Sequence, residues 1–183
     1  MQLREIYTPD QIAHRVQEIG RDISRRYAGE KLLGVCILKG AFIFFADLIR
    51  NLDLDLDIDF VRLSSYADQT TSSGEVVITG DLEYDVRDKN ILVVEDIVDT
   101  GLSLYYFKDI LRSRGAGSIE ICALIDKHER RQVQVNVDYC GFRVQEGFLV
   151  GYGLDMSQKF RNLPGIYAVN APGEDPETGS SHV

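Results

Sequence analysis

The chain has 183 residues, 44% of them hydrophobic and 27% charged, with a formal net charge of −9 at pH 7. That length and mixture suit one compact domain able to bury most of its apolar surface, and the acidic balance disfavours nucleic-acid binding, which needs a basic face. No apolar run approaches the roughly 20 residues a membrane span needs, and Met1–Glu5 lacks the basic-then-apolar pattern of a secretory signal. A soluble, cytoplasmic protein without membrane or nucleic-acid partners is expected.

The first predicted helix covers 8–28. Thr8 is a candidate N-cap, Pro9 suits the first helical position, and Gln11 completes a capping box. Ile12, Val16, Ile19 and Ile23 then recur at helical spacing, and Gly29 is the expected stop. Leu32–Leu38 is a nearly unbroken apolar run, the pattern of a strand covered on both faces. Lys39-Gly40 breaks it, and a second helix is expected over 41–50.

Residues 52–63 alternate, with Leu52, Leu54, Leu56, Ile58 and Phe60 set against Asp53, Asp55, Asp57 and Asp59, which predicts a half-exposed strand with a solvated aspartate face. A calcium loop is excluded. Counted from Asp53, its sixth and twelfth positions hold Ile58 and Ser64 where Gly and Glu are required. Residues 64–75 form a polar stretch that composition alone reads equally as a lid or as disorder.

Further strands are expected at 76–81, 90–96, 118–126, 133–140, 147–152 and 166–170, and a helix over 103–114 that stops at Gly115 and Gly117. Strands separated by helices imply an α/β fold with a mainly parallel central sheet flanked by helices. The segment 171–183 is polar and carries Pro172, Gly173, Pro176 and Gly179; its composition predicts a disordered tail behind a single domain over 1–170.

Cys36, Cys122 and Cys140 are widely spaced and show no metal-site pairing; Cys36 and Cys122 lie inside apolar runs and read as small buried hydrophobes. His14, His128 and His182 have no metal-ligand spacing and read as non-catalytic.

The segment that carries chemistry is Ile91-Leu92-Val93-Val94-Glu95-Asp96-Ile97-Val98-Asp99-Thr100-Gly101-Leu102-Ser103. Its apolar run forms a buried strand that delivers three carboxylates at its carboxyl end, where ligands bind in open α/β sheets. The turn from Asp99 to Ser103 can aim backbone N–H groups at an anion, the helix N-terminus adds its positive dipole end, and Thr100 and Ser103 add hydroxyl donors. Adjacent Glu95 and Asp96 repel phosphate. They suit neutral hydroxyls, such as a sugar's vicinal diol, or a metal ion. Diol acceptors beside a phosphate cradle spell a ribose 5-phosphate site.

With those residues the chain resembles the type I phosphoribosyltransferases, and more narrowly the hypoxanthine-guanine phosphoribosyltransferases. Their signature has the same form: an apolar run, Glu-Asp, two apolar residues, Asp-Thr-Gly. The resemblance extends from Leu38 to about Leu163. It implies the family fold, whose small hood subdomain is built from terminal segments. It implies transfer of phosphoribosyl from 5-phosphoribosyl 1-pyrophosphate to a purine, with Mg²⁺ as cofactor and a homodimer or homotetramer as the assembly.

Carried over by position, the resemblance assigns Glu95 and Asp96 to the ribose hydroxyls, directly or through Mg²⁺. Asp99 becomes the group that manages the purine N7 proton, and Asp99, Thr100, Gly101, Leu102 and Ser103 hold the 5-phosphate. Leu38-Lys39-Gly40 matches the family's pyrophosphate loop, with a non-proline cis peptide before the lysine, and Arg161 contacts pyrophosphate. Lys127 matches the donor to the purine O6, Phe148 the stacking residue, Leu149 a backbone contact to the base edge and Asp155 a Mg²⁺ anchor. Ser65-Tyr66 matches the start of a mobile loop, which tips the polar stretch toward a lid.

Three other readings remain in play on the residues. A different base, xanthine or a pyrimidine, is the nearest; Lys127, Phe148 and Asp155 together favour purines. A phosphoribosyl pyrophosphate-sensing regulator usually adds a DNA-binding domain or basic surface, and neither is present. A phosphoacceptor receiver domain places its acidic pair after its first strand, whereas here all three acids follow one strand past mid-chain.

Overall fold

The computed structural model describes residues 2–65 and 76–170. Tyr66, the remainder of the polar 64–75 stretch beyond Ser65, and the 171–183 tail lie outside the described residues.

Two sheets organise the chain. The larger has six strands in the order β4-β3-β2-β5-β6-β7, formed by β2 (Lys31–Leu38), β3 (Asp55–Ser65), β4 (Val76–Gly80), β5 (Asn90–Val98), β6 (Ser118–Lys127) and β7 (Tyr139–Val144). All pair in parallel except β4, which lies antiparallel on β3. The smaller is an antiparallel sheet of β1 (Gln2–Tyr7), β9 (Ile166–Asn170) and β8 (Phe148–Val150), so the two ends of the described chain meet in one layer. The frame is thus mixed α/β with its mainly parallel sheet at the centre.

Helix α1 (Pro9–Arg26) starts as its sequence dictates: Thr8 Oγ1 accepts from the Gln11 amide at 3.3 Å while Gln11 Oε1 accepts from the Thr8 amide at 2.9 Å. It ends before Gly29 because the fully buried Tyr27 already leaves the helical path, and Gly29 then turns the chain with φ +79°. Helix α2 (Phe42–Ile49) buries Phe44, Phe45 and Leu48. Ile12, Val16, Ile19 and Ile23 of α1 join them against one face of the large sheet. That core also contains Leu149, Tyr152, Leu154 and Ile166, so the small sheet shares its apolar interior with the large one. On the opposite face, α3 (Leu102–Ser113) packs Leu104, Phe107 and Leu111 onto Leu33, Val35, Val93 and Ile121.

Cys36 and Cys122 are buried, and burial pushes the Cys36 thiol up to about 12; Cys140 is half-buried. No helix among the described residues is long and apolar enough to cross a membrane.

Two expectations are corrected, and one strand is new. The predicted strand over 133–140 forms only at its end: β7 begins at Tyr139. Residues 133–138 are extended but spend their backbone bonds elsewhere, Val133 N donating to Thr100 O at 3.3 Å and Asp138 N to Ile121 O at 2.9 Å, while Val135 and Val137 pack beneath α3. The aspartate face of β3 is not wholly solvated. Asp59 is buried, because its carboxylate accepts from the amides of Phe60, Glu83 and Tyr84 at 2.7–2.9 Å and caps the loop that covers it. Finally, β1 is a strand that its sequence does not announce. Gln2–Tyr7 lacks alternation and is held by pairing with β9.

Candidate active site

Every sequence-derived site residue in the described part except Arg161 lies at or just beyond a strand of one of the two sheets. β2 ends at Leu38, the Leu38–Lys39 peptide is cis as the resemblance implies, and Gly40 follows. β5 ends after Glu95, Asp96 and Val98, and the turn Asp99–Gly101 opens α3. β6 ends at Lys127. Phe148, Leu149, Asp155 and Arg161 come from β8 and the turns behind it.

Two adjacent cavities result. One, of about 370 Å³, is lined by Asp96, Asp99, Lys127, Phe148, Leu149 and Asp155 among others. The second, of about 170 Å³, is lined by Glu95, Asp99, Thr100, Gly101, Ser103 and Leu104. Asp99 borders both. Its Oδ1 is buried and has no hydrogen-bond partner among the described residues, which is rare for a carboxylate unless a ligand completes it.

The smaller cavity has the local structure of an anion cradle. Gly101 takes φ +82°, a conformation that favours glycine, and as the N-cap of α3 offers no side chain of its own to the first-turn amides. Thr100 Oγ1 accepts from Leu102 N at 3.3 Å and fixes the turn. From outside, Thr100 O accepts from Gln132 N and Val133 N at 3.0 and 3.3 Å. Of the five residues expected to hold a phosphate, only Leu102 lies away from the cavity wall.

The acidic pair is tightly enclosed. Glu95 is buried, and burial, reinforced by the neighbouring Asp96 charge, holds its carboxyl well above the usual glutamate range. Asp96 Oδ1 accepts from Ile97 N at 3.0 Å. A β-carbon on Gly40 would overlap the Asp96 carboxylate, and one on Gly153, where φ is +101°, would overlap the Gly40 carbonyl. The Leu38–Gly40 segment is therefore wedged, backbone first, between the acidic strand end and the turn after β8. Glycine is the residue that permits it.

The larger cavity sets charge beside an aromatic wall. Lys127 is only 7% exposed, and its ammonium donates to Glu129 at 2.8 Å. Phe148 is 53% exposed, an apolar face left open at the rim. Asp155 pairs with Arg161 at 2.6 Å and accepts from Gln158 N at 2.7 Å. Arg161 also donates to Gly153 O at 2.6 Å, and Lys39 reaches Gln158 Oε1 at 3.3 Å. Lys39, Gly40 and Arg161 line neither cavity but gather around Gln158 and Gly153 at the margin. Ser65 ends β3, and its partner in the lid motif, Tyr66, falls outside the described residues.

Some residues of this region have no sequence signal. Glu129 and Arg131 belong to the charged run Lys127–Arg131 and carry no motif of their own, yet Glu129 holds Lys127, and Arg131 inserts beneath the loop after β5. Tyr152 donates to Asp47 at 2.6 Å and ties the turn after β8 to α2. No group of three or more His, Cys, Asp or Glu side chains that could hold a metal occurs among the described residues. Mg²⁺ needs no such cage, since it commonly binds one or two carboxylates and completes its shell with water and substrate oxygens; the enclosed Glu95–Asp96 pair fits that pattern.

An acidic strand end, a glycine-capped helix start and a buried lysine on the next strand, gathered at the carboxyl edge of a parallel sheet, define an α/β transferase that handles a phosphorylated sugar. The chain belongs to the phosphoribosyl transferase family: the model of the phosphoribosyl transferase domain matches residues 2–157. It is 42% identical over 161 residues to the hypoxanthine-guanine phosphoribosyltransferase of Bacillus subtilis, covering 88% of this chain and 89% of that one. Among solved structures, a hypoxanthine-guanine phosphoribosyltransferase from Bacillus anthracis superposes with a TM-score of 0.87 at 39% identity, covering 92% of this chain and 100% of the other. A hypoxanthine phosphoribosyltransferase from Staphylococcus aureus gives 0.87 at 38% identity, with 97% and 94% covered.

Proposed function

We propose that this chain transfers the phosphoribosyl group of 5-phosphoribosyl 1-pyrophosphate to N9 of hypoxanthine or guanine, giving IMP or GMP and pyrophosphate in purine salvage. The observation that carries this reading is that Asp99 and Lys127 line one cavity with Phe148 and Leu149, while Asp99 also borders the cradle at the start of α3. A base held in the larger cavity then lies next to a sugar phosphate held in the smaller.

In this reading N9 attacks C1′ as pyrophosphate departs, through a transition state with oxocarbenium character. The turn Asp99–Ser103 holds the 5-phosphate, and Glu95 and Asp96 accept from the ribose hydroxyls. Asp99 Oδ1, unpartnered among the described residues, takes the hydrogen at N7 as positive charge develops on the base. Lys127 donates to O6, which favours oxopurines; adenine presents a donor there and leaves the ammonium facing no acceptor. Phe148 stacks on the ring and the Leu149 backbone meets its edge. Lys39, Gly40 and Arg161 receive pyrophosphate, and for that Arg161 must loosen its 2.6 Å pair with Asp155. Glu95 and Asp96 would hold Mg²⁺, with Asp155 as its expected anchor on the pyrophosphate side although the three acids do not gather into one metal-binding group among the described residues, and the ion would neutralise the leaving pyrophosphate.

Residues 1–170 serve as one domain with the small sheet as its hood, a reading supported by the apolar core the two sheets share. Exposed Phe42, Ile58 and Phe60, at 45%, 39% and 43%, support a homo-oligomer that covers them. The location is cytoplasmic.

A turnover panel tests the reading. With phosphoribosyl pyrophosphate and Mg²⁺, hypoxanthine and guanine are converted, and adenine, uracil and orotate are not. Preferred conversion of any of the last three overturns it.

A further inference from the structure

The ladder between β5 and β6 runs through Val98↔Asp126 and stops there. The next residues in register are Asp99 and Lys127, the two groups that must meet one purine ring. No sheet bond joins them, yet N7 and O6 are neighbouring atoms on a rigid edge, so their partners need a fixed separation.

Arg131 occupies the gap. Its guanidinium, 15% exposed, donates through Nε to Asp99 O at 3.1 Å and through Nη2 to Val98 O and Lys127 O, both at 3.0 Å. The same Nη2 pairs with the buried Asp126 carboxylate, which His128 also approaches at 3.2 Å. One planar, forked cation thus binds the carbonyls of both residues and anchors itself on Asp126, the residue of β6 just before Lys127.

We infer that Arg131 is a positioning residue for the transfer reaction, setting the spacing between Asp99 and Lys127 where the β5–β6 ladder ends. This rests on the reading of Asp99 and Lys127 given above. Within the 5-phosphate turn Arg131 bonds only Asp99, and the Thr100 end has its own tethers in Gln132 N and Val133 N, which donate to Thr100 O. Loss of Arg131 should therefore slow turnover and spare phosphoribosyl pyrophosphate.

The test is Arg131→Lys, which keeps a positive charge beside Asp126 but cannot reach the three carbonyls together. With hypoxanthine, kcat is expected to fall at least tenfold, while KM for phosphoribosyl pyrophosphate stays within about threefold, since small misplacements of reacting groups can cost up to a hundredfold in rate. Combined with Asp99→Asn, the further loss in kcat should shrink to less than threefold, because the group being positioned has already been disabled. Any smaller fall in the single variant, a matching rise in that KM, or a fully multiplicative loss in the double variant assigns Arg131 a merely structural role and overturns the proposal. Should Arg131→Lys fail to fold, Arg131→Gln with Asp126→Asn removes both buried charges at once and is read by the same criteria. Asp99→Asn alone separates the two claims. If it leaves kcat unchanged, the reading of Asp99 fails and takes this inference with it; if it lowers kcat while Arg131→Lys does not, only the inference fails.

Discussion

The Lys127 ammonium donates to Glu129 at 2.8 Å from within the cavity where the base is proposed to bind. The lysine side chain is enclosed while its partner is half exposed, so Glu129 neutralises a buried cation from the rim, and the lysine in turn holds the Glu129 carboxyl below its ordinary range.

Replacing either partner separates two effects. Lys127→Gln should lower kcat/KM for hypoxanthine and guanine by roughly 10- to 100-fold, the scale of one charge-assisted hydrogen bond. Glu129→Gln frees an ammonium donor for O6 and should lower KM for the base by about two- to fivefold, because a carboxylate half exposed at the rim is screened by solvent and competes only weakly. Steady-state kinetics in each base reads both.

Gly40→Ala should damage the site far more than the fold. The added methyl meets the Asp96 carboxylate, and relieving that overlap moves either the pyrophosphate-loop segment or the acidic pair. KM for phosphoribosyl pyrophosphate should rise at least about tenfold, with a stability loss of about 1–3 kcal/mol typical of overpacking. A KM within twofold of the parent would show that this contact is not used in binding.

Asp99→Asn should cut kcat by about 10²- to 10⁴-fold, the usual contribution of a positioned acid–base group. KM for phosphoribosyl pyrophosphate should change by less than about threefold, because the phosphate turn is made of backbone. Equal losses in turnover and affinity would remove Asp99 from the proton-managing role.

Glu95 gives a pH signature with a definite sign. Its folded carboxyl titrates well above its unfolded value because of burial first and the Asp96 charge second. The folded state therefore binds the proton more tightly, so this contribution to stability is fully present below the ordinary glutamate range and is lost as pH rises through the folded value. Without divalent cation and substrate, the melting temperature of Glu95→Gln should gain on that of the parent as pH is raised from about 4 to 8. An unchanged difference across that range would mean that Glu95 is not held protonated in the fold. The same variant should lose transfer activity, since its amide cannot serve as an anionic acceptor.

Much of the frame was legible in the residues because it is encoded locally. The capping box at Thr8 and Gln11, the apolar run of Leu32–Leu38 and the change from strand to helix across 91–103 each depend on neighbours within a few positions, and each forms as expected. The site was legible to a similar depth. Glu95, Asp99, Thr100, Gly101 and Ser103 follow one another from the end of β5 into the start of α3, so their spacing along the chain already places them around one cavity.

What escaped depends on partners remote in the chain. Gln2–Tyr7 has no strand pattern and becomes one only when β9, more than 150 positions later, offers its edge. The alternating valines at 133, 135 and 137 mimic a strand, but the crossover between β6 and β7 packs Val135 and Val137 against the core that α3 covers, and β7 starts later. Asp59 reads as solvated until the loop through Glu83 and Tyr84 folds over it. By itself the sequence determined the helices, the parallel strand order's raw material and the chemistry of the loop after β5, since periodicity and turn residues act over short range. Only the tertiary structure decided that Arg131 bridges two strand ends, that Glu129 holds Lys127 and that Arg161 rests on Asp155, because hydrogen bonds of charged side chains follow distance in space and leave no period in the chain.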